Sequence, residues 1–276
     1  MRMKRSQLIF LETIMVVIAF QFLFPILLVL LNSFKTFGEV MTDVLAMPHK
    51  LQFANYAYVW TSLNYPRLFL NSLIITVLGV SGIILFGSMA AYKLARTKSK
   101  SSAIIYMYCI VPMLIPFQTI MITVLKLAKQ FHLSESTWGL GIQYWGFGIP
   151  LAVFIYQGFT KGIPKEIDES ATMDGASGVY LFFQIIFPLL RPVTATIVIL
   201  DVMWIWNDFL LPLIMVNGSD STRTLTLAAY TFVGQYTTDW QYTMAAMVMA
   251  VLPSILVFIV LQKHIVKGVA AGAVKG

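Results

Sequence analysis

The feature that most constrains this chain is a series of long apolar segments that contain no charged residue. Five of these segments cover residues 13–34, 68–92, 101–125, 136–160 and 240–262. A sixth, 193–218, is of similar length and carries Asp201 and Asp208. About 20 apolar residues in a helix cross a hydrocarbon core of roughly 30 Å, and a helix satisfies its own backbone hydrogen bonds there. The pattern predicts an all-α, polytopic membrane protein with six transmembrane helices.

The distribution of basic residues indicates how these helices are oriented. Thirteen of the 19 Lys and Arg residues lie before the first span, after the second and fourth spans, or in the C-terminal tail. Cytoplasmic loops carry such an excess, so we expect a multi-pass protein of the cell (inner) membrane with both termini in the cytoplasm. The net charge of +7 reflects this topology, and no nucleic-acid partner is expected.

Signatures of enzymes and metal sites are missing from the sequence. It contains no GxxxxGK[ST] phosphate loop and no HExxH or CxxC spacing. His49, His132 and His264 lie far apart, and Cys109 is the single cysteine. We therefore expect no catalytic residue, no metal ligand and no cofactor bound by this chain.

The predicted cytoplasmic loop from 161 to 191 differs from the rest of the chain because it is acidic. It holds four of the 12 acidic residues, namely Glu166, Asp168, Glu169 and Asp174. Pro164 suits the first turn of a helix, where a missing N–H costs nothing, and carboxylates in that turn complement the positive end of the helix dipole. A short helix is predicted to begin at Pro164.

This helix carries a narrow apolar stripe of Ile163, Ile167 and Ala171, with the small Ser170 beside it. Two interpretations are open. The segment is either a solvated connector between two spans or a helix that buries its stripe in a groove of a partner. The small residues and the stripe favour the docked helix.

Two further residues predict a sharp turn and a second helix. Gly175 can adopt the left-handed conformation that ends a helix, and Ser177 can cap the helix that follows. That second helix is expected to run until Pro188.

The segment ESATMDGASGVYLFFQIIFP, residues 169–188, resembles the EAA loop of the membrane subunits of ABC importers. The residues in register with that pattern are Glu169, Ala171, Gly175, Ile185 and Pro188, while Ser170 and Phe187 replace an Ala and a Leu. The resemblance implies a coupling helix that fits a groove on a cytoplasmic ATPase subunit. The residues implied to couple to the ATPase are Ile167, Glu169, Ser170, Ala171, Asp174, Gly175, Ala176 and Pro188.

Other segments are similar to the second permease subunit of maltose-type carbohydrate importers. They are NSL after Phe69, AAYKLAR at 90–96, WNDFLLPL at 206–213 and the tail GVAAGAVKG at 268–276. This resemblance implies a type I ABC importer permease fold, with residues 1–276 as one transmembrane domain and 263–276 as a cytoplasmic tail. It also implies that Gly272, Val274 and Lys275 of the tail contact the ATPases.

The same resemblance implies a set of partners in addition to membrane lipid and the sugar substrate. They are a homologous but non-identical permease subunit, two cytoplasmic ATPase subunits that hold ATP and Mg, and an external sugar-binding protein that delivers the substrate.

Polar residues inside the predicted spans suggest a substrate path. Asp201, Trp204 and Asp208 are spaced i, i+3 and i+7, so they share one helical face. An uncompensated carboxylate at the centre of a bilayer costs about 3 kcal/mol, so that face should meet a water-filled cavity or another subunit. The candidates for contact with a sugar are Tyr144, Trp145, Asp201, Trp204, Asn207 and Asp208. Helix packing or anchoring at the membrane interface is the alternative role for the aromatic residues.

We therefore predict a non-catalytic permease subunit of an ATP-driven importer that moves a sugar or oligosaccharide by alternating access. The alternative is a secondary carrier in which Asp201 and Asp208 bind a proton or a sodium ion, although six spans without inverted repeats argue against it. An intramembrane enzyme is disfavoured because no catalytic constellation can be assembled.

Overall fold

The part of the chain that the structure describes is mostly helical. The structure is a computed structural model that describes residues 5–234 and 236–273, without the side chains of Ser6 and residues 263–273. These residues form 14 α-helices, short 3₁₀ and π-helical segments and one isolated β-bridge between Val233 and Thr238. The first seven helices are α1 (Arg5–Asn32), α2 (Phe37–Thr42), α3 (Ala54–Ser62), α4 (Tyr65–Arg96), α5 (Lys100–Ile110), α6 (Phe117–Gln130) and α7 (Thr137–Lys161). The others are α8 (Glu166–Met173), α9 (Gly178–Tyr180), α10 (Phe187–Leu189), α11 (Arg191–Asn207), α12 (Leu210–Met215), α13 (Leu225–Ala228) and α14 (Trp240–Ala273).

Four helical stretches are long and apolar enough to cross a membrane by themselves. They are Gln7–Asn32, Tyr65–Arg96, Thr137–Lys161 and Trp240–Gln262. Two bent pairs of helices raise the number to six when each pair is counted as one span. The predicted all-α polytopic fold is confirmed.

The third predicted span, 101–125, is wrong as a single helix. The helical stretches Lys100–Leu114 and Phe117–Gln130 meet at an angle of 106°. Pro116 has an extended ψ of 130° and no N–H to continue the ladder. Its ring also disfavours a helical conformation at Ile115, which has a ψ of 117°.

The fifth predicted span, 193–218, is also wrong as a single helix. α11 ends at Asn207, Asp208 is extended with a ψ of 140°, and α12 starts at Leu210. Pro212 explains the break, because it has no N–H for the carbonyl of Asp208 and its ring would clash with that carbonyl. On its other side, α11 meets the stretch Gly178–Leu189 at 78°.

The chain divides into two compact units, residues 1–66 with 228–252 and residues 67–227 with 253–276. In the first unit, the loop after α1 is held by buried polar groups. Lys35 is 1% exposed, and its Nζ donates to the carbonyls of Asp43 at 2.9 Å and Val44 at 3.2 Å. The amide of Asn55 donates to the carbonyls of Ser33 and Lys35. These bonds give an ordered extramembrane segment without a large core.

In the second unit, α4 and α7 approach each other closely at glycines. A Cβ added to Gly87 would lie 2.9 Å from the Cβ of Ala152, and one added to Gly82 would overlap the indole of Trp145. Small residues allow such contact between membrane helices, where packing rather than the hydrophobic effect drives association. Tyr144 and Tyr156 of α7 are fully buried in the same core.

Candidate functional site

The loop between α7 and α11 contains the predicted short helix. It begins at Glu166 rather than at Pro164, and Glu166, Asp168 and Glu169 lie in its first turn. The three carboxylates therefore face the positive end of the helix dipole, as the sequence indicated. The helix ends at Met173.

The turn that follows α8 is a Schellman motif centred on Gly175. Gly175 has a φ of +85°, in the left-handed region. Its N–H donates to the carbonyl of Thr172, and the N–H of Ala176 donates to the carbonyl of Ala171, each at 3.0 Å. Ser177 then accepts from the N–H of Tyr180 and starts the second helical stretch, which is π-helical over Leu181–Ile186. The turn predicted from Gly175 and Ser177 is thus present, and its two backbone bonds satisfy carbonyls that end the helix.

The apolar stripe of α8 packs largely against the chain itself. Ala171 is 5% exposed, and Ile163 and Ile167 pack against the same core. Burial against the subunit removes most of Ala171 from water, whereas Ile163 and Ile167 stay partly exposed, and Ile167 and Ala171 also line a cleft beside the exposed face of α8.

The opposite face of α8 is the exposed one. Glu166, Glu169, Ser170 and Met173 are spaced i, i+3, i+4 and i+7, and all four are exposed. We call these four residues the loop ridge. Met173 is 84% exposed, and the sequence prediction did not include it. A flexible, polarisable side chain on such a ridge is typical of adaptable binding surfaces.

A cleft of about 730 Å³ lies beside the ridge. It is lined by Ile167, Ser170, Ala171, Asp174, Gly175, Ala176, Ser177, Tyr180 and Ile185. Six of the eight residues predicted to couple to an ATPase therefore share a single concave surface with their neighbours Ser177, Tyr180 and Ile185. Glu169 lies on the ridge next to it, and Pro188 lies in α10.

Three of the predicted path residues meet at the break after α11. The hydroxyl of Tyr144 donates to Oδ2 of Asp208 at 2.8 Å. The rings of Tyr144 and Trp204 pack edge to face with their centroids 5.4 Å apart. Tyr144 is fully buried, whereas Trp204 is 41% exposed. Trp204 is therefore the member of this cluster that another molecule can reach.

Two of the predicted path residues are occupied in packing. The indole Nε1 of Trp145 donates to the carbonyl of Leu78 at 2.9 Å, and its ring packs against Phe86. The amide of Asn207 donates to the carbonyl of Met203 and accepts from the hydroxyl of Ser254 at 3.2 Å. The structure thus favours the packing alternative for Trp145.

Asp201 forms no hydrogen bond with the cluster of Tyr144, Trp204 and Asp208 among the described residues. It is 3% exposed, and Oδ2 is buried with no hydrogen-bond partner among the described residues. The side-chain Nε2 and Oε1 of Gln143 are likewise buried, and neither has a hydrogen-bond partner in the described residues. Buried polar groups of this kind normally bind water or another molecule.

The described residues contain no group of three or more His, Cys, Asp or Glu side chains that could hold a metal ion. Of the predicted tail contacts, Gly272 lies at the end of α14, and Val274 and Lys275 lie outside the described residues.

Comparison with solved structures identifies the class of protein that has this fold. The chain superimposes on a membrane protein from the crystal structure of a bacterial ABC transporter involved in the import of the acidic polysaccharide alginate. The TM-score is 0.78 with 20% sequence identity, and the match covers 95% of this chain and 99% of that one. The two chains therefore share one fold, that of a subunit of this importer.

Sequence comparison then identifies the family. Residues 83–271 match the binding-protein-dependent transport system inner membrane component family, and the chain belongs to it. The probable starch degradation products transport system permease protein AmyC of Thermoanaerobacterium thermosulfurigenes is 44% identical over 260 residues, 94% of each chain. The multiple sugar-binding transport system permease protein MsmG of Streptococcus mutans is 36% identical over 256 residues, 92% of each chain.

Family membership decides between the functions predicted from the sequence. The chain is a multi-pass permease subunit that works with an ATPase and a substrate-binding protein. The prediction of a non-catalytic transport subunit is confirmed, and the secondary-carrier alternative is not supported.

Proposed function

We propose that this permease subunit imports a sugar or oligosaccharide across the cytoplasmic membrane. The observation that carries the proposal is the 44% identity, over 94% of the chain, to a permease named for starch degradation products. A third relative, 34% identical over 254 residues, is the melibiose/raffinose/stachyose import permease protein MelC of Bacillus subtilis. The shared chemistry of these named substrates is that of glycosidically linked hexoses.

The cluster at the end of α11 suits such a substrate. The half-exposed indole of Trp204 can stack on the C–H face of a sugar ring, and its contact with Tyr144 holds it in place. The unpartnered atoms of Gln143 and Asp201 are the donors and acceptors that hydroxyl groups would satisfy. We assign these residues to the substrate path and leave Trp145 out of it.

The loop from 161 to 191 is proposed to couple transport to ATP hydrolysis. The ridge of Glu166, Glu169, Ser170 and Met173 would enter a groove of the ATPase, and the adjacent cleft would receive a side chain of that partner. ATP and Mg would be bound by the partner subunits, whose closure moves the loop and turns the substrate path outward.

The complete importer is proposed to hold this chain, a homologous non-identical permease subunit, two ATPase subunits and an external sugar-binding protein. Both termini would lie in the cytoplasm, as the excess of basic residues in the loops on that side indicates. The tail residues Gly272, Val274 and Lys275 would then lie on the side of the ATPases.

The test is uptake by the complete importer reconstituted in lipid vesicles with ATP inside and the binding protein outside. We expect ATP-dependent uptake of labelled α-linked oligosaccharides and none of amino acids. Trp204→Ala should weaken sugar transport, since loss of one stacking contact costs about 0.5–1.5 kcal/mol. Uptake of amino acids in place of sugars would overturn the proposed substrate class.

The coupling role is tested with two substitutions on the loop ridge, one that reverses a charge and one that introduces a charge. Glu169→Lys and Met173→Glu should insert normally but fail to retain the ATPase during purification and fail to transport. Asp220→Lys is the matched control, because Asp220 is 91% exposed and forms only one exposed pair, with Arg223. Normal uptake by both ridge variants would remove the coupling role from α8.

A further inference from the structure

Arg96 ends α4 and Asp168 lies in the first turn of α8, and their side chains form an ion pair that contains one hydrogen bond. Nη2 lies 2.7 Å from Oδ2, and Nε donates to Oδ1 at 3.2 Å. The side chains are 13% and 15% exposed, so water screens the pair only weakly. The charge-assisted hydrogen bond from Nε to Oδ1 fixes the direction of the contact as well as its distance. The pair therefore orients α8 relative to the end of α4.

The remaining side of the guanidinium reaches the end of α7. Nη1 of Arg96 donates to the carbonyl of Ile163 at 3.0 Å and to the carbonyl of Thr160 at 3.3 Å. The last carbonyls of a helix have no N–H partner within it, so a side-chain donor satisfies them. Because lysine lacks the planar fork, it could not serve α7 and α8 at once in this geometry.

Tyr92, one turn before Arg96, supplies a second hydrogen-bond donor to the carboxylate of Asp168. Its hydroxyl donates to Oδ1 of Asp168 at 2.5 Å. Its ring packs against Phe182, in the π-helical segment beyond Gly175, with the centroids 5.5 Å apart. Asp168 is thus held by two residues of α4, and both helical stretches of the loop are attached to that helix.

α4 and α7 are themselves packed without space to slide. A Cβ on Gly87 would lie 2.9 Å from that of Ala152, and one on Gly148 would overlap the side chain of Ile83, which is fully buried. Interiors packed this densely transmit a displacement rather than absorb it. A push on α8 would therefore reach both long helices through the contacts of Asp168.

We propose that Tyr92, Arg96 and Asp168 are positioning residues that carry the displacement of α8 into α4 and α7 as one rigid body. The inference rests on the proposed function, in which a partner ATPase moves the loop. An ion pair that only stabilises the fold would lower the amount of assembled importer and leave the work done by each importer unchanged. A positioning role lowers the sugar transported per ATP hydrolysed.

The experiment measures that ratio in the complete reconstituted importer. Asp168→Asn removes the charge, Arg96→Lys keeps the charge but removes the fork, and Tyr92→Phe removes one donor while the ring stays. We expect sugar transported per ATP to fall about tenfold in Asp168→Asn and Arg96→Lys, and less in Tyr92→Phe. Basal ATP hydrolysis per complex should stay within about twofold of the unmodified importer.

Lys93→Gln is the matched control. Lys93 is exposed and lies in the last turn of the same helix, so this variant loses one positive charge there without touching Asp168. It should transport normally. An unchanged ratio of sugar transported to ATP hydrolysed in Asp168→Asn, Arg96→Lys and Tyr92→Phe would overturn the proposal, even if less of the complex assembles.

A covalent cross-link in place of the ion pair between Arg96 and Asp168 tests the proposal even if a charge variant assembles poorly. Arg96→Cys/Asp168→Cys, in an importer otherwise free of cysteine, is joined with a short bismaleimide. Recovery of sugar transported per ATP on cross-linking supports a mechanical joint, and no recovery counts against it. Failure of this proposal can be distinguished from failure of the proposed coupling role of α8. If α8 does not couple to the ATPase, the ridge variants Glu169→Lys and Met173→Glu retain the ATPase during purification and transport normally.

Discussion

Tyr144 and Asp208 form a hydrogen bond that joins α7 to the point where α11 ends. The tyrosine hydroxyl donates to Oδ2 at 2.8 Å, while Oδ1 of the same carboxylate accepts the N–H of Leu210 at 3.1 Å. Both oxygens of Asp208 are thus used inside the chain. The break in the helix and the carboxylate within it stabilise each other, because the exposed backbone supplies the N–H that the carboxylate needs.

Removal of this hydroxyl should destabilise the subunit. Tyr144→Phe leaves a carboxylate oxygen of the partly buried Asp208 without its donor, which costs about 1–3 kcal/mol. The midpoint of thermal unfolding in detergent should fall. Tyr108→Phe is the control, since Tyr108 is 78% exposed and should unfold as the unmodified chain does. Equal midpoints for the two variants would show that the bond contributes nothing.

The contact between α4 and α7 predicts opposite effects at two glycines. Gly82→Ala places a methyl group against the indole of Trp145, and overpacking of this kind costs about 1–3 kcal/mol. Gly146→Ala meets nothing within 4 Å and replaces a flexible residue in a helix, so it should be neutral or stabilising by about 0.5–1 kcal/mol. Resistance to unfolding in detergent, measured by heating, checks the sign at each site. A matching loss at Gly146 would contradict the packing argument.

The turn after α8 requires glycine at position 175 because of its backbone conformation and not because of lack of space. Its φ is +85° and nothing lies within 4 Å of an added Cβ, so the cost of a side chain is conformational, about 1–2 kcal/mol. We expect Gly175→Val to reduce sugar uptake strongly and Gly175→Asn to retain most of it, because asparagine tolerates this region. Gly178→Val has the same open surroundings without the positive φ and serves as the control. Uptake by Gly175→Val equal to that of Gly178→Val would exclude a role for the turn.

Acidification should open α2 before the rest of the chain. Glu39 accepts the backbone N–H groups of Thr36 and His49, and these bonds, the one from Thr36 first, lower the pKa of its carboxyl below the ordinary 4.5. A lowered folded pKa means that the stabilisation is complete above that ordinary value and is lost as the pH falls through the folded one. The protection factor against hydrogen exchange at the amide of Val40, which donates to Thr36, should therefore fall at acidic pH. The variant Glu39→Gln should lose this pH dependence, and its persistence there would assign it to another group.

Local signals in the sequence predicted the membrane class, the positions of the long helices and the structure of the loop. An uncharged run such as 240–262 allows only a membrane helix, since its backbone must bond to itself in lipid. Gly175 and Ser177 likewise predicted the turn because a left-handed glycine and a capping hydroxyl act on residues next to them. The resemblance in residues 169–188 added the expectation of a permease subunit, and family membership confirmed it.

Contacts between distant residues were beyond the reach of such signals. The same apolar stripe on α8 is compatible with a partner groove or with the subunit's own core, and only the tertiary structure shows that Ala171 belongs to that core. Arg96 and Asp168 are 72 residues apart, and no local pattern indicates that they meet. The sequence determined which segments are apolar enough to enter the membrane and where the loop turns at Gly175, because those choices depend on neighbouring residues and the solvent. The tertiary structure alone decided which faces are buried and which charges pair, because burial and ion pairing depend on residues that the chain brings together only when it folds.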